Sequence, residues 1–345
     1  MTRFRPDLSD EPAVRLDGVS LAYERTGEVL TELDVVLRQG SFTFLTGPSG
    51  AGKSSLLKLM YLAHAPTRGA IRLFGRQTHE LKRKQLAALR RRIGVVFQEF
   101  RLLNHLTAFE NVALPLRVAG QKPDQYQNEV IDLLRWVGLG ERVDAPTPSL
   151  SGGEQQRTAI ARALAPEPVA ILLDEPFSGL DPAMRDQVRD AALEAVRNAG
   201  IPSLLVTHDA KEAMVHSDKV AIIDRGQILQ TGTPEALYTA PVSEIAAKAL
   251  GPVHHIQRSN LPTAWLNQVS GSADVVAYRP EALQISPGSG FRVVRQRLAG
   301  AVSEIELEGA KGENLFAICQ LGSRIQSGDE VGIAINPALF FDFKQ

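Results

Sequence analysis

An α/β fold with a helical subdomain, followed by a small all-β, barrel-like domain, is what this sequence predicts. Three observations carry the prediction. Short apolar runs, Phe42-Thr-Phe-Leu-Thr46, Ile93-Gly-Val-Val-Phe97, Val169-Ala-Ile-Leu-Leu173 and Ser203-Leu-Leu-Val-Thr207, read as buried strands alternating with helical stretches. Between the second and third lies an insert of about 50 residues with helical spacing, too long for a simple crossover. After Gly251-Pro252 the composition changes to short strand-like runs separated by turn clusters such as Ser286-Pro-Gly-Ser-Gly290 and Ser327-Gly-Asp329. The expected boundaries are 13–245 for the α/β domain, with its helical subdomain at about 99–150, and 253–345 for the β domain.

Bulk composition narrows the classes of function. At 345 residues and 44% hydrophobic content the chain can fill two sizeable cores. Its 38 Lys and Arg against 39 Asp and Glu leave a net charge of −1, which offers no global attraction to nucleic acid or anionic lipid. The single cysteine, Cys319, cannot form an internal disulfide and fits a reducing compartment. It sits in the apolar run Leu315-Phe-Ala-Ile-Cys319, so a small buried hydrophobe is expected there. No run approaches the roughly 18 to 20 apolar residues that span a bilayer, and Met1-Thr-Arg-Phe-Arg-Pro6 lacks the apolar core of a signal peptide. A soluble chain that reaches the membrane through a partner is the expectation.

The first strand signal is Ala13 to Tyr23, alternating apolar and polar; Glu28 to Val36 is a second. Tyr23 offers either a stacking surface for a nucleotide base or ordinary strand packing. Then comes Gly47-Pro48-Ser49-Gly50-Ala51-Gly52-Lys53-Ser54, with Ser55 opening the helical run to Met60. A strand turning through glycines into a helix is the setting of a P-loop: backbone N–H groups curl around phosphate oxygens and the helix end adds its positive dipole. Lys53 is placed to reach the β- and γ-phosphates, and the Ser54 hydroxyl to ligate Mg²⁺.

Further along, Leu81 to Arg92 is a basic helical stretch. Its leucines at 81, 86 and 89 are expected to face inward and its cations to form a solvated face. No aromatic residue interleaves with those charges, which argues against nucleic-acid reading. Gln98 follows the strand ending at Phe97; a buried amide there needs partners, and it is placed to sense Mg²⁺ or an attacking water. Phe109, Val112, Ala113 and Leu116, then Val130, Leu133, Leu134 and Val137, give the helical insert its two apolar faces. Leu150-Ser151-Gly152-Gly153-Glu154-Gln155 enters another helix, as either a phosphate cradle or an N-capped start. Asp174-Glu175 closes a five-residue apolar run at the strand end where α/β sheets place ligand groups. An Asp there suits Mg²⁺, held through water, and a Glu suits polarising a hydrolytic water. His208 ends the next strand on the same edge, open to a structural or a chemical role.

Together these residues resemble the nucleotide-binding subunit of an ATP-binding-cassette (ABC) system over roughly residues 13 to 240. The P-loop at 47–54, the Q-loop at Gln98, the signature at 150–155, the Walker B run ending in Asp174-Glu175, the D-loop Ser178 to Asp181 and the switch His208 occur in the family's order. The resemblance implies a P-loop NTPase that binds ATP and Mg²⁺ in a head-to-tail homodimer. Tyr23 would stack on adenine, residues 47–55 would hold the phosphates, and Ser151, Gly152, Gly153 and Asp181 would complete the partner's site. Ser54, Gln98 and Asp174 would serve the metal; Glu175 would be the base, helped by Lys53, Gln98 and His208. It also implies membrane permease subunits docked on the helical subdomain, a solute-binding protein reached through the complex, and a peripheral place on the cytoplasmic face of the inner membrane.

Within the tail, Tyr278-Arg-Pro-Glu281 and Val331-Gly-Ile-Ala-Ile-Asn-Pro337 resemble the regulatory β domain of importer ATPases, which implies solute uptake, with ferric iron or an oxyanion favoured. Residues 41–164, especially Phe97 to Leu103 and Asn111 to Gly120, instead resemble the bacterial cell-division ABC ATPase, which would signal at the membrane without transport. A soluble ABC ATPase of translation or DNA repair is a third class; such proteins usually carry two cassettes or a coiled-coil insert, and this chain has neither.

Overall fold

The computed structural model describes residues 11–24, 27–178, 182–320 and 325–343, with backbone alone at 182–184. The chain forms two compact units, residues 1–234 and 235–345.

The first unit opens with two strands, β1 (Val14–Tyr23) and β2 (Gly27–Leu37), paired antiparallel. Their alternation places Leu16, Val19 and Leu21 of β1 and Leu30, Leu33 and Leu37 of β2 in the core. Each such leucine contributes about 1.5–3 kcal/mol by leaving water. β3 (Phe42–Thr46) runs through the glycine loop into α1 (Lys53–Met60), and β4 (Arg68–Leu73) and β5 (Arg76–Gln77) complete a sheet ordered β2-β1-β4-β5. The basic stretch becomes α2 (Arg83–Arg90): Leu89 is buried, Leu81 and Leu86 pack against the core, and Arg83 and Lys84 are exposed.

After β6 (Ile93–Val96) come α3 (Ala108–Val118), α4 (Pro123–Trp136) and α5 (Gly152–Leu164). Thr107 caps α3 by accepting from the Glu110 N–H at 3.2 Å, while its own N–H donates to Glu110 Oε2 at 2.9 Å. This reciprocal pair fixes the helix start. Val112, Leu116, Val130 and Leu134 make the subdomain core. Asn111 is fully buried and satisfied: its Nδ2 lies within hydrogen-bond distance of Thr107 O, Leu103 O and Thr147 Oγ1, and its Oδ1 accepts from the Leu103 N–H.

The remaining elements of this unit are β7 (Ala170–Asp174), α6 (Pro182–Asn198), β8 (Ser203–Val206), α7 (Ala210–His216), β9 (Lys219–Asp224) and β10 (Gln227–Gly232). They build a six-stranded sheet ordered β10-β9-β3-β8-β7-β6, parallel from β9 to β6 and antiparallel at β10. Leu45 pairs with Val206, Leu173 with Leu205 and Val96 with Leu173, so four strands end level. Gly47, His208, Asp174-Glu175 and Gln98 therefore leave the sheet along one edge.

The second unit starts with two short helices, α8 (Pro234–Thr239) and α9 (Glu244–Lys248). They precede β11 (His254–Gln257), α10 (Thr263–Leu266), β12 (Val275–Tyr278), β13 (Leu283–Ala299), β14 (Val302–Gly309), β15 (Asn314–Gln320), β16 (Glu330–Ile335) and β17 (Phe340–Phe341). The strands form two antiparallel sheets, β11-β12-β17 and β15-β14-β13-β16, an all-β half-barrel around Trp265, Tyr278, Leu307 and Leu315.

Two expectations for this unit are corrected. The cluster Ser286-Pro-Gly-Ser-Gly290 lies inside the 17-residue β13 rather than separating two strands. Pro287 and Phe291 both pair with Val331, so the residues between them form a bulge, with Gly288 and Gly290 at positive φ, and the same partner is resumed. Cys319 is only partly buried at the edge of the core.

Candidate nucleotide-binding and hydrolysis site

The glycine loop between β3 and α1 is shaped by its neighbours. Gly47 has φ +153°, and a Cβ there would stand 2.0 Å from the Ile223 carbonyl oxygen on β9. Gly52 caps α1 in the left-handed region at φ +105°, and no side chain bonds the first N–H groups of the helix. Lys53 is buried, and its Nζ donates to Gly47 O at 2.7 Å and Pro48 O at 2.8 Å, drawing the loop around the ammonium. Burial pushes the Lys53 ammonium below its ordinary pKa, opposed by the carboxylates of Glu175 and Asp174. Pro48, Ser49, Gly50 and Ser54 are exposed, whereas Ala51 is buried. Gly47→Ala is expected to lower stability by about 1–3 kcal/mol and to weaken ATP binding, because the backbone of β9 cannot retreat. Urea denaturation with a nucleotide titration checks it; an unchanged midpoint would show that the loop has another way to close.

Asp174 is the last residue of β7. Burial raises its pKa, the neighbouring Glu175 adds to the rise, and Lys58, a hydrogen bond with Ser54 and Lys53 oppose it. Glu175 adopts φ +43°, a conformation that costs a non-glycine residue free energy and clusters at functional sites. Its N–H donates to Val206 O at 3.0 Å, and its carbonyl accepts from the Ser178 hydroxyl at 3.0 Å, which together hold that turn. The carboxylate then meets His208: Glu175 Oε2 lies 3.3 Å from Nδ1, with the imidazole 65% exposed and the carboxylate 22%. Both line a cavity of about 20 Å³ with Ser178, Asp209 and Glu212.

Tyr23 is half-buried, with its hydroxyl 3.3 Å from Ser55 Oγ and its ring edge-on to His64 at 5.3 Å. The tyrosine thus lies beside the first turn of α1. Gln98 is exposed, two residues beyond β6, so its amide meets solvent and is not the buried group expected from the sequence. Strand register still sets it beside the Asp174 edge. Ser151 caps α5, accepting from the Glu154 N–H at 3.3 Å while its own N–H donates to Glu154 Oε2 at 2.8 Å. Gly152 is exposed, and Gly153 is buried where a Cβ would meet Val188 at 3.0 Å. Lys53, Ser54, Asp174, Glu175 and His208 are thus brought together, whereas the polar contacts of Ser151 stay within α5. Asp181 lies outside the described residues.

These groups combine an N–H cradle, a lysine, a hydroxyl–carboxylate pair and a Glu–His pair, as transfer of a phosphoryl group to water requires. A family profile described as ABC transporter matches residues 30–178. A methionine import ATP-binding protein of Haemophilus influenzae is 37% identical over 260 residues, covering 74% of each chain. The chain belongs to the ABC transporter ATP-binding family. A methionine import ATP-binding protein of Vibrio vulnificus is 39% identical over 226 residues, or 65% of this chain and 66% of the relative. Among solved structures, cbiO1 from Clostridium perfringens, part of the ABC transporter complex cbiONQ, superposes with a TM-score of 0.62 at 26% identity. That likeness covers 67% of this chain and 92% of the other. An ATP-binding cassette solved as a dimer after hydrolysis, with ADP and Pi bound, gives a TM-score of 0.58 at 30% identity, covering 64% of this chain and 98% of the other. This ABC protein is an ATP hydrolase coupled to transport.

Several supporting groups escape a sequence reading. Arg162 on α5 donates to the carbonyls of Phe100 and Arg101 at 2.6 and 2.7 Å, tying down the segment after Gln98. Phe100 and Arg101 both have positive φ, so the anchor holds a strained turn. No local pattern announces a partner 61 residues away. Glu212, which accepts from the Thr207 hydroxyl at 2.6 Å, is another such residue.

Proposed function

We propose that this chain is the ATP-hydrolysing subunit of a methionine importer, working as a head-to-tail pair beneath a membrane permease. The observation that carries the chemistry is the Glu175–His208 pair at the strand edge that also bears Lys53 and Asp174. The observation that carries the solute is the named role of relatives covered over 74% of their length, which favours methionine over ferric iron or an oxyanion. Among the described residues no helix is long and apolar enough to cross a membrane, in keeping with a peripheral subunit on the inner face.

In this reading the N–H groups of residues 47–55 bind the phosphates, Lys53 leaves its loop carbonyls for the γ-phosphate, and Tyr23 packs the base. Ser54 and Asp174 offer a hydroxyl and a carboxylate, hard oxygen donors of the kind that fits Mg²⁺, and these two side chains would hold it beside the phosphates. Bound there, Mg²⁺ supplies neutralisation of phosphate charge. Glu175 accepts the proton of the attacking water, His208 holds the γ-phosphate, and Gln98 links the site to the helical subdomain. Ser151, Gly152, Gly153 and Asp181 complete the site of the second copy. In this reading residues 13–245 act as the ATPase and 253–345 as its regulatory domain.

Purification from gently solubilised membranes is expected to bring down a multi-span permease, and the complex in vesicles to show ATP-dependent methionine uptake with ATPase activity that responds to methionine. Recovery of a membrane protein with few spans and a large external loop, and no uptake, would replace this reading with cell-division signalling. Activity that answers to sulfate or ferric iron and ignores methionine would reject the solute alone.

A further inference from the structure

His208 is flanked by a small closed ring of hydrogen bonds whose three members, Thr207, Asp209 and Glu212, have no place in the mechanism above. Thr207, buried at the end of β8, donates its backbone N–H to Leu45 O at 3.1 Å and its hydroxyl to Glu212 Oε2 at 2.6 Å. The same hydroxyl accepts from the Asp209 N–H at 2.9 Å. Asp209 Oδ1 in turn accepts from the N–H groups of Lys211 and Glu212, at 2.8 and 3.3 Å, and so caps α7. The ring runs Glu212, Thr207, Asp209 and back to Glu212, with His208 inside it. Both of its chain neighbours are held, so its backbone position is set while its imidazole stays exposed beside Glu175.

We propose that Glu212 is a positioning residue for hydrolysis, acting through Thr207 to hold His208 against Glu175. This rests on the ATPase reading above. Glu212 is 4% exposed yet borders the cavity that Glu175 and His208 also line. A carboxyl so buried is costly unless it is used, and its bonding partner is the residue immediately before His208. Burial pushes its pKa up and Asp209 adds to the rise, while Thr207, Arg189 and His208 pull the other way. That direction favours a neutral carboxyl, whose shape glutamine reproduces. A purely architectural glutamate would leave turnover untouched once the protein is folded, whereas this one controls where the imidazole stands.

The test uses the full-length chain and four variants, Glu212→Ala, Glu212→Gln, Thr207→Val and the Ala/Val double, with ATP affinity read by a fluorescent nucleotide and turnover by phosphate release. Loss of kcat by about tenfold or more is expected for Glu212→Ala and for Thr207→Val, with ATP affinity within about twofold of wild type. The double variant is expected to be no slower than the worse single one, because both cut the same link. Glu212→Gln is expected to recover most of the rate. Additive losses in the double variant, or Thr207→Val turning over normally, would overturn the proposal. Thr207→Val changes shape least and decides the matter even where Glu212→Ala fails to fold. A wild-type chain that hydrolyses no ATP would overturn the ATPase reading and this one together.

Discussion

Glu175→Gln is expected to bind ATP as tightly as wild type and to hydrolyse it roughly 10²- to 10⁴-fold more slowly. The substitution keeps the side chain's size and leaves φ +43° no harder to adopt, so the change isolates the carboxylate. Two losses then combine. The group proposed to take the proton of the attacking water is gone, and the carboxylate 3.3 Å from His208 Nδ1 becomes an amide. Lys53 also loses one of the two carboxylates that favour its charged form, while Asp174 remains. In the proposed function binding depends on the glycine loop and the α1 N-terminus, which the substitution does not touch. The check is a pair of measurements on one preparation, equilibrium ATP binding and single-turnover hydrolysis. Near-normal turnover would remove Glu175 as the base. Loss of binding instead would mean that the carboxylate shapes the loop, and the strained turn at 175 would then be structural.

Arg279→Ala is expected to destabilise the second unit by about 3–5 kcal/mol, the range of a large buried side chain removed without collapse. Arg279 is fully buried, with its guanidinium 4.0 Å above the Tyr238 ring and 5.6 Å from the centre of the Phe341 ring. It donates to Pro252 O at 3.3 Å and Tyr238 O at 3.4 Å, so truncation leaves a cavity and two stranded carbonyls. Burial draws the guanidinium below its usual pKa. The same packing pushes the Tyr238 hydroxyl up to about 12, with Glu281 adding to that rise. Arg279→Met fills the space without the donors, and a smaller loss of about 1–3 kcal/mol is expected. One tryptophan lies in each unit, Trp136 and Trp265, and Trp265 is buried and stacked on Phe291 at 5.6 Å. Urea unfolding followed by Trp265 fluorescence in a Trp136→Phe background therefore reports on this unit alone. A midpoint unmoved by Arg279→Ala would show that the rings, not the guanidinium, hold the strands together.

Much of the first unit was legible because its cues are local. Ala170 to Leu173 is apolar throughout because a parallel strand is covered on both faces, and that run alone places Asp174 and Glu175 at a strand end. The glycine loop is equally local, since a strand, a turn and a helix meet within a few residues. Val220-Ala-Ile-Ile223 on β9 carries the same apolar signal, so this strand beside β3 was open to the same argument. The tail was harder. Glycine and proline mark a turn in most sequences, but at 286–290 the strand resumes its old partner, and only the pairing with Val331 reveals a bulge.

By itself the sequence determined the α/β architecture, the phosphate loop, the helical insert and the identities of the residues at the strand ends, because hydrophobic period and turn chemistry act over a few residues. Tertiary structure alone decided which of them meet. The 3.3 Å approach of His208 to Glu175, the Glu212–Thr207–Asp209 ring and the aromatic bed of Arg279 each depend on strand order and register. Those follow from how whole faces pack together, and no window of the chain contains that information.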